Sequence, residues 1–136
     1  MADDGGLARL NRRMAAIPKA VRDALQPALD KGADEMVRKM KSMAPKEDGD
    51  LVGSIRKEPG RHELGRRIVA GGAATTKPVA EGHSAKYDYA VGQEFGTAEM
   101  EAQPFFHPAK REVAPRARNR LKREARKAIR SIWGKP

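Results

Sequence analysis

Cysteine is absent from this 136-residue chain. Disulfides, thiolate metal sites and cysteine nucleophiles are therefore excluded. Aromatic residues are scarce: three Phe, two Tyr and one Trp. Leu, Ile, Val and Phe together number 22, about 16% of the chain, below the level of about 20% at which high net charge favours disorder. Alanine also numbers 22. It forms helix well but buries little area, so the chain reads as helix-rich, with a thin core that subunit contacts would complete. No apolar run approaches the roughly 18 residues of a membrane helix. The opening MADDGGLARL has acidic residues and no apolar core, so a signal peptide is not expected, and synthesis and retention in a cytoplasm are.

Negative charge is sparse in one region in particular. Residues 107–136 hold 11 Lys/Arg against 2 Asp/Glu, while residues 1–106 hold 17 against 16. The net charge of +10 is thus concentrated in the last thirty residues, which localises any attraction to a polyanion.

What is present begins with a helical stripe: Leu7, Leu10, Met14, Ile17, Val21, Leu25, Leu29, Met36, Met40 and Met43, mostly three, four or seven apart. Pro18 suits the first turn of a second helix, Pro27 should kink or restart it, and Gly32 should weaken it. The stripe stops at Ala44-Pro45. Residues 45–50 form a turn, Leu51 to Lys57 starts a strand, and Arg66 to Ala70 forms a second. Ala73 to Ala85 reads as a mobile loop. Tyr87, Tyr89 and Val91 alternate as in a short strand, though Tyr87, Ala90, Val91 and Glu94 also fit a short helix. Val113, Ala117, Leu121, Ala125, Ala128/Ile129 and Ile132/Trp133 make the apolar stripe of a basic amphipathic helix, with Gly134 and Pro136 as stop signals. The expected class is α+β in a single domain, 1–136: a helical part (1–45), a small antiparallel sheet with a loop (46–106) and a C-terminal helix (107–133).

No catalytic constellation is visible, so no enzyme is expected, and no cofactor or metal. His62, His83 and His107 lack metal-ligand spacing. Asp88 and Glu94 have no general-acid partner and read as solvated or salt-bridged carboxylates. Ser54 and Ser84 lack a nucleophile-elbow context. The glycine pairs match no nucleotide fingerprint.

Two features stand out as binding elements. The first is the cationic face of the last helix: Arg116, Arg118, Arg120, Lys122, Arg123, Arg126, Lys127 and Arg130. Its reading is contact with DNA phosphates or an acidic protein face. About six phosphates would give a log–log salt slope near −5. Its alanine-rich stripe argues against a membrane. The second is Glu94-Phe95-Gly96-Thr97 followed by Gln103-Pro104-Phe105-Phe106-His107-Pro108-Ala109, which contains every phenylalanine of the chain. It reads as a packing or assembly element, in which Phe105 or Phe106 meets a neighbouring subunit or anchors the helix that does.

The order Ala44-Pro45, Gly49-Asp50-Leu51, Ser54-Ile55, Tyr89-Ala90, Glu94 to Thr97 and Gln103 to Ala109, closed by a charged helix, is itself informative. It resembles the gp ten-like tail-component family of lambdoid and related tailed bacteriophages, over roughly residues 10–132. The resemblance implies a non-catalytic virion protein of the neck or tail, a tail-completion or head–tail connector subunit. It implies a ring, typically of six copies, around the channel through which DNA leaves. The implied partners are copies of itself, head-completion proteins, tail-tube or tail-terminator proteins, and DNA in the channel. The implied location is the host cytoplasm during assembly and then the virion. Glu94 to Thr97 and Gln103 to Ala109 carry over as fold-defining or interface residues. A second function class is sequence-independent DNA binding through the basic helix.

Overall fold

A computed structural model describes residues 5–15, 17–46, 49–78 and 86–133. Five helices and two small sheets follow in the order α1 (Leu7–Ala15), α2 (Lys19–Met43), α3 (Asp50–Ser54), β1 (Arg56–Pro59), β2 (Arg66–Val69), a 3-10 turn (Ala73–Thr75), β3 (Thr76–Pro78), β4 (Lys86–Asp88), α4 (Tyr89–Phe95) and α5 (Phe106–Trp133). The α+β class holds, but the expected sheet is two separate antiparallel hairpins, β1–β2 and β3–β4.

The two long helices form the frame. They run antiparallel: Gly32 of α2 meets Ala117 of α5, while Lys39 further along α2 reaches back to Glu112 at 3.2 Å. Gly32 is buried, and a Cβ there would sit 3.0 Å from the Cβ of Ala117. The glycine that weakens α2 in isolation therefore lets the two helices approach. Pro27 neither breaks nor restarts α2, which is continuous through it. Proline costs a backbone hydrogen bond there, but α2 packs along α5 and under the β1–β2 hairpin, and that tertiary burial prevails over local propensity.

The hairpin is held to α2 by charge. Arg66 Nε donates to Asp30 Oδ1 at 2.7 Å and its guanidinium also reaches Gln26. Lys57 lies 3.2 Å from Asp30 and 3.0 Å from Asp34, and Arg22 lies 2.7 Å from Glu63. The core gathers at the other end of the frame, where Met40, Ala44, Leu51, Ile55, Ala90, Phe105 and Ala109 are buried together. Two of its three large-chain contributors besides Met40, Leu51 and Ile55, come from a segment expected to start as strand. It folds as helix first: Gly49 takes a left-handed φ of 78° before Asp50, and Leu51, Ser54 and Ile55 then turn inward at helical spacing. The strand begins only at Arg56.

The expected loop from Ala73 is also corrected at its start. Residues 73–78 form a 3-10 turn and β3, with Thr76 paired to Asp88, while the rest of that stretch lies outside the described residues, as do Gly134 and Pro136. Both readings of the Tyr87 region hold in turn: strand to Asp88, helix from Tyr89.

Candidate functional site

Glu94 organises the aromatic segment. It sits in the last turn of α4 and is buried. Its Oε2 accepts the backbone N–H groups of Phe105 (2.8 Å) and Phe106 (2.9 Å), and its Oε1 accepts that of His107 (2.9 Å). These donors lie at the start of α5, where a helix has N–H groups without intrahelical partners. Glu94 therefore caps α5 from another helix, with its negative charge at the favourable end of the α5 dipole. Burial alone would push its carboxyl up. The three N–H donors and the neighbouring His107 outweigh burial and hold it below the ordinary carboxylate value.

The chain between α4 and α5 is shaped to deliver these donors. Gly96 has φ of 80°, and a Cβ there would lie 3.0 Å from the backbone nitrogen of Ala102. The Thr97 hydroxyl oxygen accepts the Met100 N–H at 3.0 Å, and Gln103 N–H donates to the Gln93 carbonyl at 2.7 Å. Gln103 and Pro104 are exposed, Phe105 drops into the core, and Pro108 lies in the first turn of α5, where its missing N–H costs nothing.

Asp88 does the same work for α4. Its Oδ1 accepts the Ala90 N–H at 2.9 Å and the Thr75 hydroxyl, and its Oδ2 accepts the Gly72 N–H at 2.8 Å. Gly71 takes φ of 92°, and a Cβ there would fall 2.4 Å from Asp88 Oδ2. Burial raises the Asp88 carboxyl, but the Thr75 hydroxyl and the two backbone donors hold it down. The sequence suggested solvated or salt-bridged carboxylates; instead both act as helix caps that receive backbone donors, with a hydroxyl donor as well for Asp88, and neither has an ion pair among the described residues. The sequence signal for Asp88 was its place just before a helix-compatible stretch. For Glu94 no local signal exists, because its donors lie eleven to thirteen residues away.

The three phenylalanines separate. Phe105 is 1% exposed and Phe106 is half-buried against it, edge to face at 6.4 Å. Phe95 is 68% exposed, beside Val91 at 59%. The His107 ring lies 5.9 Å from Phe95 and 5.5 Å from Phe106. An apolar groove of about 420 Å³ opens there, lined by Ile68, Val69, Ala70, Val91, Phe95 and Phe106. Phe105 is buried in the core at the start of the final helix. The outward aromatic is Phe95, which was not singled out for that role. Among the described residues no three His, Asp or Glu side chains are grouped to hold a metal. The Nδ1 of His62 accepts the Leu64 N–H, and His83 lies outside the described residues.

Compared with protein families, residues 8–96 match the family described as "Bacteriophage HK97-gp10, putative tail-component". The chain belongs to this gp10-like family. It is a bacteriophage tail component, and so a part of a virion. The match ends at Gly96, so the second half of the aromatic segment and all of α5 lie beyond the matched span, which is shorter than the resemblance read from the motifs. Comparison with curated proteins and with solved structures found no match. Among the described residues no helix is long and apolar enough to cross a membrane.

On α5, the gp10-like chain divides its cations between two faces. Arg116 and Arg120 turn toward α2 and flank Glu35, at 3.2 and 2.5 Å. The Arg120 hydrogen bond, opposed by burial and helped by Arg116, holds the Glu35 carboxyl below its ordinary value. Arg118, Lys122, Arg123, Arg126, Lys127 and Arg130 are exposed, with no ion pair among the described residues. Glu35→Ala would leave the half-buried Arg120 without its carboxylate. It is expected to lower stability by about 1–3 kcal/mol, read as a lower urea midpoint with unchanged slope. A midpoint within error of the parent would show that this pair contributes nothing.

Proposed function

We propose that this chain is a non-catalytic structural subunit of the head–tail junction of a long-tailed phage (siphophage) or prophage. It completes the tail as a closed ring, six copies being the expectation, around the DNA channel. Its neighbours are then copies of itself, head-completion proteins and tail-tube or tail-terminator proteins. Assembly takes place in the host cytoplasm, and the finished ring stays in the neck or tail.

Family membership supports the tail; one observation carries the finer reading. A chain with few large apolar side chains leaves several of them outside: Leu7 and Leu10 on α1, Val91 and Phe95 on α4, and Ile129 and Ile132 on α5. Such surface suits a subunit whose neighbours cover it. Native mass measurement or electron microscopy is expected to find a ring, alone or on adding tail tubes. A strict monomer that never associates with tails or connectors would sink the reading.

The Val91–Phe95 surface is the expected contact. The double change Val91→Ser, Phe95→Ser should leave the monomer's melting temperature nearly unchanged and weaken self-association or tail binding by at least about 30-fold. A loss below threefold would remove this surface from the interface.

A second reading, sequence-independent DNA binding through α5, is favoured by the outward cations that no described carboxylate neutralises. The two are compatible if α5 lines the channel.

A further inference from the structure

We infer that Arg118, Lys122, Arg126 and Arg130 form a ridge that grips the phosphates of duplex DNA, while Arg116 and Arg120 take no part. The inference rests on the second reading above and narrows it from a whole helix to one row of side chains.

The four residues recur at intervals of four along α5. With a rise of about 1.5 Å per residue, each step is about 6 Å and the row spans about 18 Å. All four are exposed, and none has an ion-pair partner among the described residues. Like charges at this spacing weaken an isolated helix, and nothing described on the protein relieves them. The other face of the same helix shows the contrast. There Arg116 and Arg120 share Glu35, and Glu112 meets Lys39. The remaining carboxylate of the region, Glu124, is half-buried rather than on the outer face.

The chemistry of the row favours phosphates over a protein face. From Arg118 to Arg130 the outward positions are Arg118, Asn119, Lys122, Arg123, Arg126, Lys127, Ile129 and Arg130, with Ile129 the one apolar side chain among them. The fully buried centre of a protein interface is depleted in charged residues, and a single isoleucine beside a row of cations does not make such a centre. Single-strand binding relies on aromatic platforms for the bases, and this face has none. Duplex DNA carries roughly ten phosphate charges over about 18 Å of its axis. Four cations on a ridge that winds about 120° around the helix from end to end can therefore follow the curved phosphate backbone in any register. Contacts of this kind position a protein without reading sequence.

The test is fluorescence anisotropy of the full chain with two duplexes of unrelated sequence, across a salt series. Both should bind alike, with a log–log salt slope of about −3.6 for four phosphates, a loss of about 150-fold between 50 and 200 mM salt. Reversing Arg118, Lys122, Arg126 and Arg130 to Glu should abolish binding. Reversing Lys31, Arg38, Arg61 and Lys86 instead, which removes the same charge elsewhere, should change affinity by less than about threefold. Should the Glu variant fail to fold, the same four positions changed to Gln should flatten the salt slope toward zero. If the control variant loses as much as the ridge variant, the ridge falls while DNA binding by the chain stands. If the parent binds neither duplex at 50 mM salt, the second reading falls with it. Displacement of DNA by polyglutamate at equal charge would reassign the ridge to an acidic protein and overturn it. The assembled mass is recorded in parallel, so a monomer that binds DNA through these four residues leaves the inference standing without the ring.

Discussion

Glu94→Gln is expected to destabilise the chain by roughly 3–4 kcal/mol, the largest effect of any polar substitution in it. The carboxylate accepts three backbone N–H groups at 2.8–2.9 Å. A glutamine offers one carbonyl oxygen and turns an NH2 group toward donors. At least one N–H at the buried start of α5 then loses its partner, and the helix dipole loses its counter-charge. The same carboxylate gives a pH signature. Its folded pKa lies below the ordinary 4.5. A group lowered in this way contributes its full stability above the unfolded value and loses it as pH falls through the folded value. The parent should therefore hold its stability above about pH 4.5 and lose it progressively below. The Gln variant should lack that part of the loss, keeping only the portion from other carboxylates such as Asp88, whose decline starts from 3.8. Urea denaturation from pH 7 down to pH 3 reads both effects. Parallel acid profiles, with parent and variant within about 0.5 kcal/mol at pH 7, would remove Glu94 as the cap.

The sequence carried the long elements well, for a physical reason. The stripes of α2 and α5 repeat over many turns, so periodicity alone places them, and the end of α2 at Ala44-Pro45 follows from proline's effect on the residue before it. The short elements were ambiguous because four or five residues cannot separate a period of 2 from one of 3.6. Leu51 to Ile55 shows this: Leu51, Ser54 and Ile55 are buried as a helical set, yet the segment is followed at once by a strand. Gly32 and Pro27 were read as weak points from local propensity. Their roles depend on the partner helix, which local sequence does not contain.

The site was legible as a place but not as a mechanism. Clustered phenylalanines marked the segment, whereas the carboxylate that assembles it joins α4 to α5 across a turn. The eight cations of α5 were likewise visible, but not their division. Glu35 lies more than eighty residues from the two arginines it takes. Only the packing of α2 on α5 distinguishes the structural pair from the cations left outside.

Phe105→Ala is expected to be the most damaging change of all, at about 3–5 kcal/mol. Phe105 is 1% exposed and buried with Met40, Leu51, Ile55, Ala90 and Ala109, so its truncation leaves a phenyl-sized hole in a thin core. Domains of this kind hold only about 5–15 kcal/mol in total, and a core this thin places the chain toward the lower end. The variant should therefore be largely unfolded near physiological temperature, with hydrogen exchange accelerated first at the start of α5. Phe105→Leu keeps most of the volume and should cost about 1–1.5 kcal/mol. Phe95→Ala supplies the contrast: with its side chain 68% exposed, it should change monomer stability by less than about 0.5 kcal/mol. Calorimetry on the three variants decides the matter. If Phe105→Ala costs under about 1 kcal/mol, the core does not depend on this ring. If Phe95→Ala costs as much as Phe105→Ala, the outward aromatic is a folding residue and the docking surface lies elsewhere. The expected split assigns one phenylalanine of the segment to holding the monomer together and another to what the monomer meets.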